Sequence, residues 1–328
     1  MTALARGIGS RLGQAIGLLL AVVVVVFFLI QLAPGDAALY LAGDQGVGDA
    51  EFLAQVRADY GLDQPLLVQL GTYVGNVAQL DLGDSIYFNE PVLGLIVERL
   101  FATVLLAGTS LLFAVGLGVA IGVYTARRPE SPMSSAATVT SLVGFSTPVF
   151  YSAIMVIVLF AAKWSLFPVG GMEDVRYDGN WVGETIDLLQ HLVLPALSLG
   201  IIYLAIYSRL ARASMLEVLE SDYIRTARAK GAQERVVVYK HALRNAVIPV
   251  ITAAGLQVGN LLSGALLVEV VFAWPGIGRL AVDSIFRRDS PMLLGIMIFS
   301  SAMVIVANLL TDLVYRLIDP RIRVGGSR

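Results

Sequence analysis

AIGLLLAVVVVVFFLI, residues 15–30, is an unbroken apolar run, and the rest of the chain is read outward from it. Crossing the hydrocarbon core of a bilayer takes about 20 mostly apolar residues in a helix, a length the segment reaches over 14–33. Arg6 and Arg11 precede it, as basic residues precede a secretory leader. The apolar core is longer than a leader's, however, and Pro34 and Gly35 follow where a small-x-small cleavage site is expected. The segment therefore reads as a retained first span.

Five further stretches have comparable character: 101–124, 137–162 interrupted by Pro148, 192–207 with Pro195 near its start, 247–268 and 293–317. The composition agrees, with 57% hydrophobic and only 15% charged residues, against about 25% charged in soluble domains. Mean hydropathy is +0.76. The expected fold is all-α, a polytopic membrane bundle of about six transmembrane helices. Prolines inside two spans mark kinks, tolerated where a neighbour or water satisfies the freed carbonyl.

Lys and Arg favour the cytoplasmic side, which sets the orientation. The N-terminal tail has Arg6 and Arg11 and no acid, 125–136 has Arg127 and Arg128 against Glu130, and 208–246 has eight basic residues against four acidic. These segments are expected inside, as is the C-terminal tail with Arg321, Arg323 and Arg328. The connection 34–100 carries ten acids against Arg57 and Arg99, and 163–191 five acids against Lys163 and Arg176, so both are expected outside. Charge is balanced over 269–291, which alternation places outside. The organisation that follows is a tail and first helix over 1–33, an extracytoplasmic helical cap over 34–100, and a core over 101–328 with a cytoplasmic loop at 213–246.

Several chemistries are excluded early. The net charge is −2, without a basic run that would suit nucleic acid. Absence of Cys removes disulfides and thiolate chemistry, and two histidines, His191 and His241, leave little for a metal cluster. No catalytic constellation is apparent, which argues against an integral membrane enzyme. The glycines at 116, 118 and 122 lie within an apolar span and lack the preceding strand of a dinucleotide site. Gly118 and Gly122 at i, i+4 suit close helix packing instead. Asp312 reads as an i, i+4 partner of Arg316 near the inner end of the last span, with a transport role as the alternative for an acid inside a span. Gln257, Asn260 and Ser263 share about 120° of helical arc, and either line a polar pathway or hydrogen-bond between helices. Ser141, Ser146 and Thr147 pose the same choice, with Ser146 taken as a pathway candidate.

The long cytoplasmic connection contains YIRTARAKG (223–231) and HALRNAVIP (241–249). Residues 223–230 suit a short amphipathic helix, Gly231 a break, and 234–245 a second helix leading to the fifth span. Arg225, Arg228 and Lys230 suit lipid headgroups or, together with small Ala227, Ala229 and Gly231, close approach of another protein.

At this loop the chain resembles the membrane subunits of binding-protein-dependent ATP-binding-cassette importers, whose loop reads EAA, three residues, Gly, nine residues, I-x-L-P. Aligned on Gly231, the general form is matched by Ala227, Gly231 and Leu243; the whole segment is similar to the variant of the dipeptide, oligopeptide and nickel branch. LAPGD (32–36), YGLDQPL (60–66), DLGDSI (81–86), TPVFY (147–151), FPVGG (167–171), VFAWPGIGRL (271–280) and LIDPRIR (317–323) resemble the same branch's B-type subunit, in order along nearly the whole chain.

The resemblance implies a non-catalytic permease half working by alternating access in a bacterial or archaeal cytoplasmic membrane. Its implied partners are a second, homologous permease, two ATPase subunits or domains, an external binding protein and membrane lipid. No Gly-x4-Gly-Lys-Ser/Thr loop is present, so ATP and Mg belong to the ATPases and this chain is expected to bind no cofactor and no metal. Tyr223, Arg225, Ala227, Gly231 and Ala232 are the implied coupling residues. Asp81, Trp274, Pro275 and Arg279 are candidates for an external surface meeting the binding protein. Di- or oligopeptides are the implied cargo, with nickel or glutathione as alternatives in the branch; the docking loop argues against a passive channel.

Overall fold

A computed structural model of the chain describes residues 2–32, 38, 50–59, 62–174 and 180–318. Twelve helical elements serve for the description: α1 Thr2–Leu32, α2 Ala50–Asp59, α3 Leu66–Ala78, α4 Val92–Arg127, α5 Pro132–Ser146, α6 Val149–Val156, α7 Trp181–Leu219, α8 Asp222–Ala229, α9 Glu234–Val236, α10 Ile248–Val271, α11 Ile277–Phe286 and α12 Ser290–Ile318. The helical path of α6 continues through a π-helical segment, Ile157–Lys163, and that of α9 through another, Val237–Ala242, and then Leu243–Ala246. Among the described residues, extended pairing is confined to an isolated bridge between Asp84 and Pro91. Expectations placed on residues 33–37, 39–49, 60–61, 175–179 and 319–328, and on the side chains of Ser146, Asn260, Ser263, Asp312 and Arg316, lie outside the described residues.

The chain is an all-α membrane protein. By length and composition, α1, α4, α7 and α12 each contain an apolar segment long enough to cross a bilayer. Two expected spans are differently built. At 137–162 a break separates α5 from α6, because the residue before proline disfavours the α conformation. Thr147 is extended (φ −89°, ψ 127°), and Pro148 caps α6. The span expected at 192–207 is the middle of the 39-residue α7, which keeps Pro195 in its interior. Hydropathy revealed only the middle because Glu184 and Asp187 at one end, and Arg209 and Arg212 towards the other, interrupt the apolar run. α7 starts earlier because the Asn180 side chain accepts the Gly183 amide at 3.1 Å, satisfying one of the open donors of a helix start.

The fold divides into two compact units: residues 1–101 with 276–309, and residues 102–275 with 310–328. In the first, Val23 and Val26 of α1 pack with Leu294 and Ile298 of α12, and Tyr73, Val74 and Val77 of α3 join them. A second core joins Val92, Leu95 and Ile96 to Ile277, Leu280 and Met292. Gly295 permits the approach: a Cβ there would lie 2.3 Å from Val92 Cγ1. Asp289 clasps the 85–88 turn, accepting hydrogen bonds from the Ser85 hydroxyl and, at 3.3 Å, the Tyr87 amide. Its other oxygen accepts from the Met292 amide at the start of α12, at 3.2 Å.

In the second unit, Leu106, Leu194, Leu199, Phe272 and Trp274 form the main apolar core. The expected close packing at Gly118 and Gly122 is found against α7. A Cβ at 122 would lie 2.5 Å from Ala211 Cβ and 2.7 Å from the Ser208 carbonyl; one at 118 would lie 3.0 Å from Tyr207 Cβ. Position 122 accepts no side chain without displacing α7, and at 118 the neighbouring helix would have to give by a few tenths of an ångström.

Candidate coupling loop and polar positions

The 220–247 loop is a small structured platform. Helix α8 is amphipathic in miniature: Ile224 is fully buried, while Tyr223, Arg225, Thr226, Ala229 and Lys230 are exposed. Ile224 packs with Val123 and Ala126 of α4, Met215 of α7, and Val237 and Val238 of the π segment. One isoleucine thus seats α8 on the ends of two long helices at once. Burying such a side chain contributes roughly 1.5–3 kcal/mol, enough to favour one position over a hinge-like swing.

The end of α8 is fixed by hydrogen bonds. The Gly231 amide donates to the Arg228 carbonyl at 2.9 Å and the Ala232 amide to the Ala227 carbonyl at 3.2 Å, the two bonds of a Schellman termination. That geometry requires a left-handed residue between them, and Gly231 has φ +77°. Ala227 and Ala232 both pack partly against the loop's apolar cluster, supplying the hydrophobic contact that accompanies the motif.

Two side-chain ties close the platform. Arg228 crosses the turn to Glu234, donating from Nε at 3.2 Å and from Nη2 at 2.9 Å. The paired hydrogen bond with Arg228 holds the Glu234 carboxyl below its usual range, and the same bond raises the arginine. Asn245 Nδ2 donates to the Tyr223 hydroxyl at 2.8 Å, linking α8 to the residues entering α10. These ties escaped the sequence reading; a basic and an acidic residue flanking a helix-ending glycine was the available signal.

Of the five coupling candidates, Tyr223, Arg225 and Gly231 lie on the exposed side. A Cβ at Gly231 would meet nothing within 4 Å. Ala227 and Ala232 turn partly inward, so the small residues do not all serve the exposed surface. Arg225 approaches Asp222 at 3.6 Å, both strongly exposed.

Among the polar positions, Gln257 is half-buried on α10. The hydroxyls of Ser141 and Ser208 lie 3.3 Å apart, so Ser141 is used between helices. Glu269 was missed because the expected fifth span stopped at 268, one residue short of it. It is fully buried and accepts a 2.7 Å hydrogen bond from the Thr103 hydroxyl.

Of the external candidates, Asp81 is exposed and accepts the Gly83 amide at 3.0 Å. Arg279 is partly exposed, 3.8 Å from Asp283, and Pro275 is half-buried. Trp274 requires correction as a surface contact. It is fully buried in the core of its unit, and its indole N–H donates to the Ala102 carbonyl at 2.9 Å. A buried indole needs such a partner, and here the partner is the chain itself.

Two family models match: binding-protein-dependent transport system inner membrane component over residues 118–324, and the N-terminal part of such membrane components over residues 4–107. The chain is 40% identical over 330 residues to the dipeptide transport system permease protein DppB of Escherichia coli K12, covering 95% of this chain and 97% of that one. It is 42% identical to a putative peptide permease protein of Brucella suis biovar 1, covering 96% and 98%. It is 39% identical to the oligopeptide transport system permease protein AppB of Bacillus subtilis 168, covering 94% and 96%. Two solved structures share the fold. One, of the MetNI methionine ABC transporter in inward-facing conformations, has a TM-score of 0.54 at 17% identity, covering 69% of this chain and 96% of that one. The other, of an amino acid ABC transporter with histidines, has a TM-score of 0.52 at 16% identity, covering 68% and 94%.

Proposed function

The chain belongs to the family of binding-protein-dependent transport system inner membrane components, and from that premise we propose that it is one permease half of an ATP-driven importer of di- and oligopeptides. The observation carrying the cargo is the full-length likeness to permeases named for dipeptides and oligopeptides. Its complex comprises a second, homologous permease, two ATPase subunits or domains that hold ATP and Mg, and an external binding protein. The polypeptide crosses the membrane six times with both ends inside: α1, α4, the broken α5–α6 segment, α7, α10 and α12. The 24 residues of α10 are sufficient for a crossing at about 1.5 Å per residue.

ATP energy reaches the pathway through α8 and its seat. The exposed face around Tyr223, Arg225 and Gly231 contacts the ATPase, and the buried face passes its motion to α4 and α7. Alternating access follows if ATPase closure moves α8 as a rigid unit, because Ile224 and the Schellman turn resist local yielding. Gln257, Asn260, Ser263 and Ser146 are the pathway candidates, with Asp81, Pro275 and Arg279 on the side that receives the binding protein.

The test is ATP-dependent accumulation of a labelled dipeptide by proteoliposomes containing this chain with its cognate second permease, ATPases and binding protein. Uptake that requires every component and is reduced by unlabelled peptides is expected. Uptake of nickel or glutathione instead, with no peptide competition, overturns the cargo; ATP hydrolysis by this chain alone overturns the assignment.

A further inference from the structure

A cleft bounded by α4, α5 and α7 combines an apolar slot with a basic end. The slot has a volume of 620 Å³ and is lined by Ala120, Ile121 and Tyr124 of α4, Met133 and Ala136 of α5, and Leu204 of α7, among others. Such a volume lies in the range that accommodates small ligands. A second cavity of 290 Å³ shares Ile121, Thr125, Ala137 and Ser141 with the first and has Arg209 and Arg212 of α7 in its lining. No residue lining either cavity is acidic. Arg128 lies 6.0 Å from the ring of Tyr124, adding a cation near the slot.

The walls of the slot are mostly apolar, and two of their hydroxyls are already engaged. The Thr125 hydroxyl donates to the Ile121 and Gly122 carbonyls at 2.9 and 3.1 Å, and Ser141 pairs with Ser208. A peptide placed in the slot would leave its amides facing apolar walls, at a cost of about 1–3 kcal/mol for each unsatisfied group. A hydrocarbon chain carries no such groups. Arginine suits a phosphate by charge and by its five forked donors, which can serve more than one partner at once. The cleft sits where α4 ends at Arg127 and α5 begins at Pro132, beside the basic connections placed on the cytoplasmic side. The cytoplasmic leaflet of a cell membrane is the one with the negative surface potential.

We infer that this cleft binds an anionic phospholipid of the cytoplasmic leaflet, with one acyl chain in the apolar slot and the phosphate at Arg209 and Arg212. The inference rests on the orientation proposed above.

The assembled transporter is tested in nanodiscs containing phosphatidylglycerol, or phosphatidylcholine, with a photoactivatable group on the acyl chain. Phosphatidylglycerol adducts are expected at Tyr124, Met133 or Ala136, exceeding those of phosphatidylcholine. Each of Arg209→Gln and Arg212→Gln should reduce the adduct roughly fivefold, the loss expected for one basic contact to an anionic lipid. Ala136→Trp, which fills the slot, should abolish it. Adducts indifferent to headgroup, or found only outside the cleft, overturn the inference. So does a benzoylphenylalanine at position 136 that crosslinks to the second permease, since a protein helix then occupies the slot. Because the chain has no native Cys, impermeant maleimide labelling of Glu130→Cys in sealed cells reports the orientation separately. Labelling from outside would refute the orientation whatever the lipid result.

Discussion

Replacing Gly231 by alanine and by tryptophan separates a backbone requirement from a partner contact, because both variants incur the same conformational cost. At φ +77°, any residue with a Cβ is disfavoured by about 1–2 kcal/mol. Asparagine, which visits this region more readily, should cost less. The local structure adds no steric cost at Cβ, since nothing lies within 4 Å of it. In the isolated chain, Gly231→Ala and Gly231→Trp should therefore destabilise the end of α8 to a similar degree. Faster exchange of the Gly231-site and Ala232 amides, by about 5- to 30-fold, is the corresponding signal if the turn opens by that free energy. In the complex the two variants should diverge. If an ATPase surface approaches Gly231, alanine largely preserves assembly, whereas tryptophan reduces ATPase copurification and abolishes peptide uptake at normal membrane abundance. Equal copurification and equal uptake for both variants would falsify the contact and leave Gly231 as a helix terminator alone.

The Arg228–Glu234 pair, with side chains 42% and 54% exposed, should contribute no more than about 1 kcal/mol. Because folding lowers the Glu234 pKa, that contribution is complete above the usual carboxylate value of about 4.5 and is lost as pH falls through the lowered value. Glu234→Gln should accelerate amide exchange in the 231–232 turn severalfold at pH 7, with the difference from the parent shrinking in acid. Gly122→Ala should destabilise by about 1–3 kcal/mol through overpacking, read as earlier thermal unfolding of the purified chain. Gly116→Ala is the control: nothing lies within 4 Å of its Cβ, and alanine is the better helix former, so it should melt no earlier than the parent. Trp274→Phe removes the indole donor to the Ala102 carbonyl, which lies within α4 and keeps its helical bond, and should cost about 0.5–1.5 kcal/mol; unchanged thermal stability would refute a contribution from the indole bond.

The composition, the apolar runs and Gly118 and Gly122 made the helical membrane fold and one helix seam legible, because both depend on local pattern. The limits of α7 were hidden because its ends are polar, and hydropathy registers lipid-facing character rather than helical extent. Trp274 illustrates a different difficulty. An aromatic residue before Pro275 and Gly276 has the local pattern of an exposed turn, but its burial depends on the Ala102 carbonyl, 172 residues away in sequence. Ala227 matched the loop pattern, yet its partly inward position depends on the register set by Ile224. The order of family-like segments identified the loop; which side of it faces outward required the three-dimensional arrangement.

The connection between loop and spans follows from two contacts on the same helices. Ile224 shares one buried core with Val123 and Ala126 of α4 and Met215 of α7, while Gly122 brings α4 against Ala211 of the same α7. The docking seat and the glycine seam are thus about one helical turn apart. A force on α8 that moved α4 without α7 would have to open a contact in which the glycine already leaves no room for a side chain. Moving both helices together preserves that contact and Ile224's burial. If α8 carries the proposed coupling, the packing favours transmission as a shift of the α4–α7 pair, with Gly231 and the Arg228–Glu234 tie holding the end of α8.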